Sequence, residues 1–430
     1  MGHASHRLSR DARMRAVWPA TLSTAEQTPG LWADLGRRRD DLLPRVADYY
    51  MYLQALPRRV RRALQRRWRV SLATLALWLA LGQLPALAAT IPVGGGCTLV
   101  DALTAANTDT ATGGCPAGSG ADTIVLPPGS TQTLTSVHNN TFGPNGLPVV
   151  ESVITIAGQG STIVRAEGAP EFRLLAVRST GDLTLQETTV RGGVIYGYNR
   201  SGGGVGNFGG TLLVTNSTIT GNTAISCGGS PCYSRGGGVG NFGGTLLVTN
   251  STITGNAATS GGGGIANEEG AATVTNSTIS GNSGGGVLSG GTLSVTNSTI
   301  SGNSGGGVRN FGTTLLVTNS TISGNTGGDG GMANLGSILS VTNSIISGNS
   351  AYYNGGVRNF GTTLLVTNST ISGNTAYGYS HSSGGGIENY AGTVTVTNST
   401  ISGNAASYGG GIDNKGFKSY YGITEPCIKI

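Results

Sequence analysis

The sequence predicts an all-β protein, a right-handed single-stranded parallel β-helix, because a short unit rich in β-branched residues recurs between glycines and asparagines. From about Gly202 the 430-residue chain repeats the form GGG-V-x-N-x-G-T-L-x-V-T-N-S-T-I-S-G-N. A unit of roughly 20 residues cannot bury an apolar face by itself, so neighbouring units must stack. Runs of Thr, Val, Ile, Ser and Gly lack a 3.6-residue period, which excludes a helical repeat. We therefore expect about nine to eleven coils, paired in parallel about 4.8 Å apart.

Alternation within the unit predicts which side chains face the interior. A Val stands two residues before the central Asn and usually a Leu four before it, so both are expected inside, while the variable residue between them faces solvent. Ile219 and its equivalents, three residues after the central Asn, should form a second inward stack. The apolar residues after the glycine triplets should form a third: Val205, Ile265, Val308, Met332 and Ile387.

The central asparagines are predicted to form a structural ladder, since a buried amide without partners costs about 1 to 3 kcal/mol and stacking would supply those partners. Seven of the eight stand in Asn-Ser-Thr sequons, so glycosylation is the alternative. The predicted ladder consists of Asn216, Asn250, Asn276, Asn297, Asn319, Asn343, Asn368 and Asn398.

The net charge of +6 does not indicate a nucleic-acid partner, because the basic residues are concentrated at the N-terminus. Residues 1–88 hold 15 basic and 6 acidic side chains, which leaves 26 − 15 = 11 basic and 20 − 6 = 14 acidic for residues 89–430. The repeat region is faintly acidic, and no nucleic acid is expected as a partner.

Residues 1–88 are predicted to be an N-terminal extension and a signal peptide. A basic stretch from Arg58 precedes an apolar run, and Ala86 and Ala88 then form a small-x-small cleavage site. A signal peptide is shorter than this segment, so Met51 is a plausible true start. The alternative is an uncleaved anchor, since about 18 apolar residues lie at the lower limit of a membrane span.

Five cysteines in an exported chain favour disulfides over metal ligands. Cys97 and Cys115 flank one segment, and Cys227 and Cys232 close a short loop, so two disulfides are predicted and Cys427 is left over. No metal site and no cofactor are expected.

The segment from Cys97 to Asn107, CTLVDALTAAN, followed by GADTIVL at residues 120–126, resembles the CSLREA domain at the start of many bacterial surface β-helix proteins. The family's Arg-Glu pair is replaced by Val100 and Asp101. The coils resemble those of polymorphic outer-membrane proteins in their glycine triplets and Asn corners. The resemblance implies an amphipathic helix that caps the solenoid, and a secreted or cell-surface protein, at the outer membrane in a Gram-negative source.

These patterns divide the chain into residues 1–88, a cap at 89–149, β-helix repeats at 150–414 and a divergent tail at 415–430. After Asn414 the repeat template stops within a coil, and the sequence favours a truncated gene, a frameshift or a misassembled repeat array.

The repeat region does not have the residues expected of a polysaccharide-degrading β-helix enzyme. Hydrolysis requires two carboxylates from neighbouring coils. The acids between Gly202 and Asn414 are interpreted as turn residues on distant coils: Glu268, Glu269, Asp329, Glu388 and Asp413. The basic groups there are Arg235, Arg309, Arg358 and His381. The prediction is a protein that is not an enzyme, with a polysaccharide lyase or glycoside hydrolase as an alternative.

The predicted function is adhesion, or binding of an extracellular glycan or of a protein on a host or neighbouring cell. Coil length varies only between the closing Gly-Asn and the next glycine triplet, so these loops should align as one ridge. The ridge carries eight tyrosines suited to recognition: Tyr196, Tyr198, Tyr233, Tyr352, Tyr353, Tyr377, Tyr379 and Tyr408. A passive surface spacer is the alternative. The membrane is expected to be contacted only through the signal segment or a missing C-terminal anchor.

Overall fold

A computed structural model describes residues 88–197, 201–227, 233–378 and 382–415, together with the backbone of 417–419, 422–424 and 428–429. Every described residue belongs to one compact unit.

The described chain is a parallel β-solenoid of about ten coils, as the repeat predicts. Each regular coil contributes one strand to each of three columns. The first column contains Thr211–Thr215, Thr245–Thr249, Ala271–Thr275, Thr292–Thr296, Thr314–Thr318, Ile338–Thr342, Thr363–Thr367 and Thr393–Thr397. The second contains Thr218–Thr220, Thr252–Thr254, Thr278–Ser280, Thr299–Ser301, Thr321–Ser323, Ile345–Ser347, Thr370–Ser372 and Thr400–Ser402.

The third column is a ten-stranded sheet formed by the strands that follow the glycine triplets. It contains Leu175–Arg178, Val205–Phe208, Val239–Phe242, Ile265–Glu268, Val287–Ser289, Val308–Asn310, Met332–Asn334, Val357–Asn359, Ile387–Asn389 and Ile412–Asn414. Short strands in the loops before the triplets are Val194–Tyr196, Thr223–Ile225, Ala257–Ala258, Ser350–Ala351 and Thr375–Ala376.

At the N-terminal end, Val153–Arg165 and Asp182–Arg191 each run through both the first and the second column. Thr90–Pro92, Asp122–Val125 and Thr131–Leu134 pair below them. At the other end the repeat gives way to an antiparallel pair, Phe417–Ser419 with Gly422–Thr424, and Ile428–Lys429 adds to the first column.

The three predicted inward stacks are confirmed and form one continuous core. In a typical coil, Leu315 and Val317 of the first column and Ile322 of the second are 0% exposed, and Val308 of the third is 3% exposed. Leu316, between two inward residues, is 42% exposed. Strand alternation therefore determined the facing, because the pairing remains in register from coil to coil.

The predicted asparagine ladder is wrong. All eight central asparagines are exposed at a corner of the coil, in the left-handed backbone conformation with φ between 48° and 50°. Asparagine tolerates this conformation better than most residues, which explains its recurrence there. Within the described chain, no hydrogen bond joins one of these side chains to the next. The residues concerned are Asn216, Asn250, Asn276, Asn297, Asn319, Asn343, Asn368 and Asn398.

The buried ladders lie elsewhere in the coil. The serine after the central Asn is buried in all but the last coil, and its hydroxyl accepts the backbone N–H of the equivalent residue one coil before, as Ser251 does from Ser217 at 3.1 Å. The asparagine that closes the second column forms another ladder, of Asn222, Asn256, Asn282, Asn303, Asn325, Asn349, Asn374 and Asn404. A further ladder lies in the third column, where Ser289 takes the place of the asparagine in one coil. Its asparagines are Asn207, Asn241, Asn267, Asn310, Asn334, Asn359, Asn389 and Asn414.

The helix expected from the resemblance is present as Leu99–Thr108 at the N-terminal end. Thr98 caps it by accepting the backbone N–H of Asp101 at 3.1 Å, and five apolar residues are buried: Leu99, Ala102, Leu103, Ala105 and Ala106. Among the described residues, no helix is long and apolar enough to span a membrane.

The disulfide between Cys97 and Cys115 is confirmed. Cys227 is also disulfide-bonded, while its predicted partner Cys232 lies outside the described residues. Ala86 lies outside them too, and Ala88, the first described residue, is exposed.

Candidate functional site

The outward side chains of the third column become charged toward the C-terminal end of the solenoid. Its middle position is occupied by Gly206, Gly240, Ala266 and Leu288 in the earlier coils and by Arg309, Ala333, Arg358, Glu388 and Asp413 in the later ones, all in register. Each stands between an inward apolar residue and a ladder residue, which is Ser289 after Leu288 and an asparagine in the other coils. Stacking therefore places Arg358, Glu388 and Asp413 side by side on three successive coils.

These side chains form one ion-pair network. Glu388 is 0% exposed and binds two cations: its Oε2 lies 2.9 Å from Arg358 Nε, and its Oε1 lies 2.7 Å from Lys415 Nζ. The hydroxyl of Ser383 donates to the same Oε1 at 2.7 Å. Asp329, from the loop before the third column, pairs with Arg358 at 2.9 Å.

The network continues to both sides of this centre. Arg309 lies 3.5 Å from Asp329 along the axis, and Lys415 lies 3.8 Å from Asp413. Three cations therefore face three carboxylates, and the cluster is close to neutral.

The expectation that the acids lie on distant coils was wrong for the C-terminal half. Glu388 and Asp413 are direct partners on adjacent strands, and Asp329 joins them through Arg358. Glu268 lies far from this cluster and pairs with Arg235 at 3.2 Å. The signal in the sequence was the shared offset of V-R-N, I-E-N and I-D-N after the glycine triplets, which aligns these charges in register.

Two rows of aromatic residues flank the network. On the loop side, backbone pairing aligns Tyr353, Ser383 and Tyr408 over three coils. On the other side, Tyr390 stacks on Phe360 with ring centroids 4.4 Å apart. Arg358 spans the floor between these rows, with its guanidinium 5.1 Å from the Tyr353 ring centre, 4.8 Å from Phe360 and 5.1 Å from Tyr390.

These residues enclose an open cleft of about 630 Å³, which we call the trough. Its lining consists of Tyr352, Tyr353, Arg358, Ser383, Tyr390, Tyr408, Asp413 and Lys415. The position that follows the ladder asparagine extends the aromatic side along the axis through Phe311, Leu335 and Phe360, which are 46%, 37% and 38% exposed. A second cleft of about 420 Å³ lies against these three residues.

Six of the eight ridge tyrosines are described, and all six are exposed, between 43% and 62%. Tyr352, Tyr353 and Tyr408 line the trough, and Tyr377 packs against Tyr352 with ring centroids 6.1 Å apart. The structure does not bring Tyr196 and Tyr233 into the trough, and Tyr233 lies 5.1 Å from Arg235 instead. Tyr198, Tyr379 and His381 lie outside the described residues.

Sequence reasoning missed the other half of the trough, namely Arg358, Tyr390, Lys415 and the row from Phe311 to Phe360. Only the variable loops were considered for binding, whereas these residues come from the regular third column. In the described part of the chain, no group of three His, Cys, Asp or Glu side chains is placed to hold a metal ion.

Two basic groups of the trough, Lys415 and Arg358, have raised pKa values. Burial by itself lowers the pKa of Lys415, but hydrogen bonds to Glu388 and Tyr390 and the charge of Glu388 outweigh it and raise the pKa above its ordinary 10.5. Burial likewise lowers the pKa of Arg358, but hydrogen bonds to Tyr390 and Asp329 and the charges of Glu388 and Asp329 outweigh it and raise the pKa above its ordinary value. Both side chains are therefore cations at neutral pH.

The Lys415 pKa gives a testable pH dependence. Since its folded value exceeds the unfolded one, its stabilising effect is complete below about pH 10 and is lost as the pH rises through the folded pKa. We expect the difference in melting temperature between the wild type and Lys415→Met to be constant near neutral pH and to shrink above about pH 10. Circular dichroism melts over a pH series measure it. A difference that stays constant into the alkaline range would contradict the assigned pairing.

This architecture defines a right-handed parallel β-helix repeat protein. Residues 263–424, which include the trough, match the family model described as right handed beta helix region. None of the curated proteins matches the chain significantly.

Two solved structures share the architecture at a distance. The A-module of mannuronan C-5 epimerase AlgE6 from Azotobacter vinelandii is 16% identical, with a TM-score of 0.41 over 66% of this chain and 90% of that chain. Pectate lyase Pel9A is 16% identical, with a TM-score of 0.34 over 68% of this chain and 70% of that chain. Likenesses this distant carry no argument about the site.

Proposed function

We propose that this chain is an exported bacterial surface protein that binds a glycan along the trough. The arrangement of the trough supports this proposal, because aromatic rings lie on two sides of a floor of charged side chains that can form hydrogen bonds, and the cleft is open to solvent. The apolar face of a sugar ring packs on an aromatic ring, and its hydroxyls accept and donate hydrogen bonds to charged groups.

The dimensions of the row favour an extended glycan over a single sugar. From Phe311 through Leu335, Phe360 and Tyr390 to Lys415, one residue per coil repeats at about 4.8 Å, so the row is about 19 Å long. That repeat is close to the length of one sugar unit in an extended chain. Because the cluster of three cations and three carboxylates is near neutral, we favour a neutral glycan over an acidic one.

Export is supported by the basic and apolar segments before Ala88 and by the disulfides of Cys97 with Cys115 and of Cys227. The capped helix Leu99–Thr108 supports the assignment of residues 89–149 to a CSLREA-like cap. Adhesion is the role that follows for a glycan-binding solenoid outside the cell.

The test is a glycan array, followed by titration calorimetry with the best ligand, on the full chain. Substituting Tyr352, Tyr353 and Tyr408 together with Ser removes the loop side of the trough, and we expect the affinity to fall by at least about tenfold, since about 1.4 kcal/mol corresponds to tenfold. The matched control is Tyr196→Ser with Tyr233→Ser, which removes two equally exposed tyrosines outside the trough and should leave binding unchanged. An equal loss of glycan affinity in both variants, or no glycan bound by the wild type, would refute the proposal. The passive surface spacer would then be the remaining interpretation.

One observation favours catalysis as a second candidate. Glu388 and Asp413 are carboxylates on neighbouring coils beside the aromatic rings, and glycoside hydrolysis uses a pair of carboxylates. Glu388, however, is fully buried and ion-paired with two cations, so Asp413, with 22% of its side chain exposed, is the more accessible acid. Release of reducing ends or unsaturated sugars from a bound glycan, abolished by Asp413→Asn, would establish an enzyme.

A further inference from the structure

A buried carboxylate at the N-terminal end of the solenoid has no counter-charge among the described residues. Asp122 begins the strand Asp122–Val125 and is 1% exposed. Its Oδ1 accepts the backbone N–H of Ser119 at 2.7 Å and that of Ala89 at 3.2 Å. Its Oδ2 is buried and has no partner among the described residues. A carboxylate in such a place is costly unless it is paired, because burial removes its hydration.

The surroundings hold the carboxylate closely. A side-chain carbon on Gly118 would lie 2.4 Å from Asp122 Oδ2 and 2.8 Å from the carbonyl oxygen of Ala105 in the cap helix, so only glycine fits there. Within the described ranges, no basic side chain forms an ion pair with Asp122. The backbone nitrogen of Ala89, 3.2 Å from Asp122 Oδ1, would become a cation if the chain began at that residue.

Both backbone polar groups of Ala89 are hydrogen-bonded. Its nitrogen donates to Asp122, and its carbonyl oxygen accepts the N–H of Thr123 at 2.8 Å. The next residue begins the strand Thr90–Pro92, which pairs in parallel with Thr123, Ile124 and Val125. On its other side Ala88 is exposed and ends the small-x-small sequence at residues 86–88. The bond between Ala88 and Ala89 therefore joins an exposed residue to a fixed one.

We propose that a signal peptidase hydrolyses the bond between Ala88 and Ala89, and that the new α-ammonium group of Ala89 forms an ion pair with Asp122 that fixes the first strand of the solenoid. Water supplies the hydroxyl that completes the Ala88 carboxyl group and a proton that goes to the Ala89 nitrogen. At neutral pH the new carboxyl group then releases one proton and the new amine takes up one, so the two ends become a carboxylate and an ammonium group. The ammonium group has three donors where the amide had one, so it can serve Oδ2 as well as Oδ1. The inference rests on the export in the proposed function and is independent of glycan binding.

The experiment uses the full chain, exported with its own leader by a Gram-negative host. Mass spectrometry of the recovered protein should give Ala89 as the first residue. A glycine inserted between Ala88 and Ala89 keeps the cleavage site and moves the ammonium group one residue, about 3.5 Å, farther from Asp122. Hydrogen exchange at Thr90–Pro92 and Asp122–Val125 should then be about tenfold or more faster, because the strand loses its anchor.

Asp122→Asn should accelerate exchange by a similar factor, and the double variant should be no faster than either single one. Asp109→Asn, at an exposed acid of the same cap, is the control and should have no effect. A first residue other than Ala89 in the recovered wild type overturns the inference. So does an acceleration of hydrogen exchange by Asp122→Asn that is just as large in the glycine-inserted chain, because the carboxylate would then act without the ammonium group. Both results leave glycan binding at the trough unaffected, so failure here is distinguishable from failure of the trough.

Discussion

Replacing Asn325 with Ala should lower the free energy of unfolding by about 3 kcal/mol. Asn325 is 0% exposed and serves two neighbouring coils. Its Oδ1 accepts from the backbone N–H and the side-chain amide of Asn303 at 3.1 and 2.9 Å, and its Nδ2 donates to Asn349 Oδ1 at 2.9 Å and to the Ile300 carbonyl at 3.0 Å. Alanine leaves the buried N–H of Asn303 without this acceptor, and each such orphan costs about 1 to 3 kcal/mol. Urea unfolding followed by circular dichroism measures the loss.

Asn319, six residues earlier, provides the matched control because it is exposed and its φ is 49°. Asn319→Gly should change stability by only a few tenths of a kcal/mol, since glycine adopts the left-handed conformation freely. Asn319→Ala should cost about 1 kcal/mol, through backbone conformation alone. If Asn319→Ala were as damaging as Asn325→Ala, the central asparagine would be part of a ladder after all.

The contrast between these two asparagines shows how far the sequence predicts the fold. Inward stacks such as Val317 and Ile322 followed from strand alternation, because a period of two fixes the side of every residue once one face is known. At a corner the alternation stops, and the direction of a side chain depends on the backbone dihedral angles. Asn319 and Asn325 recur with equal regularity, so recurrence alone could not tell which of them is buried.

The candidate site was predictable in part for a similar reason. Exposed tyrosines in variable loops were found from loop length and composition, and Tyr353 and Tyr408 do line the trough. Contacts between coils require the register of stacking, which is fixed only when both coils are aligned on their inward residues. Glu388 and Asp413 stand 25 positions apart in the chain, and only that alignment makes them neighbours.

Removing the carboxylate of Glu388 should destabilise the C-terminal half of the solenoid. This side chain is 0% exposed and forms ion pairs with both Arg358 and Lys415, which are 15% and 33% exposed. Breaking a buried pair costs about 3 to 5 kcal/mol when a charge is left without a partner. Since Asp329 still holds Arg358 and Lys415 reaches water, we expect Glu388→Ala to cost about 2 to 4 kcal/mol.

Glu268→Ala is the matched control for this variant, because Glu268 also pairs with an arginine, Arg235, but at 28% exposure. A pair that water reaches contributes about 0 to 1 kcal/mol, so this variant should melt within a few degrees of the wild type. The Glu388 variant should also lose glycan affinity, because Arg358 and Lys415 form part of the trough and are no longer held by a common anion. Melting curves that coincide for the two variants would mean that the network adds no stability beyond that of a surface ion pair. Unchanged glycan affinity in Glu388→Ala would mean that the aromatic rows, without the ordered floor, are sufficient for recognition.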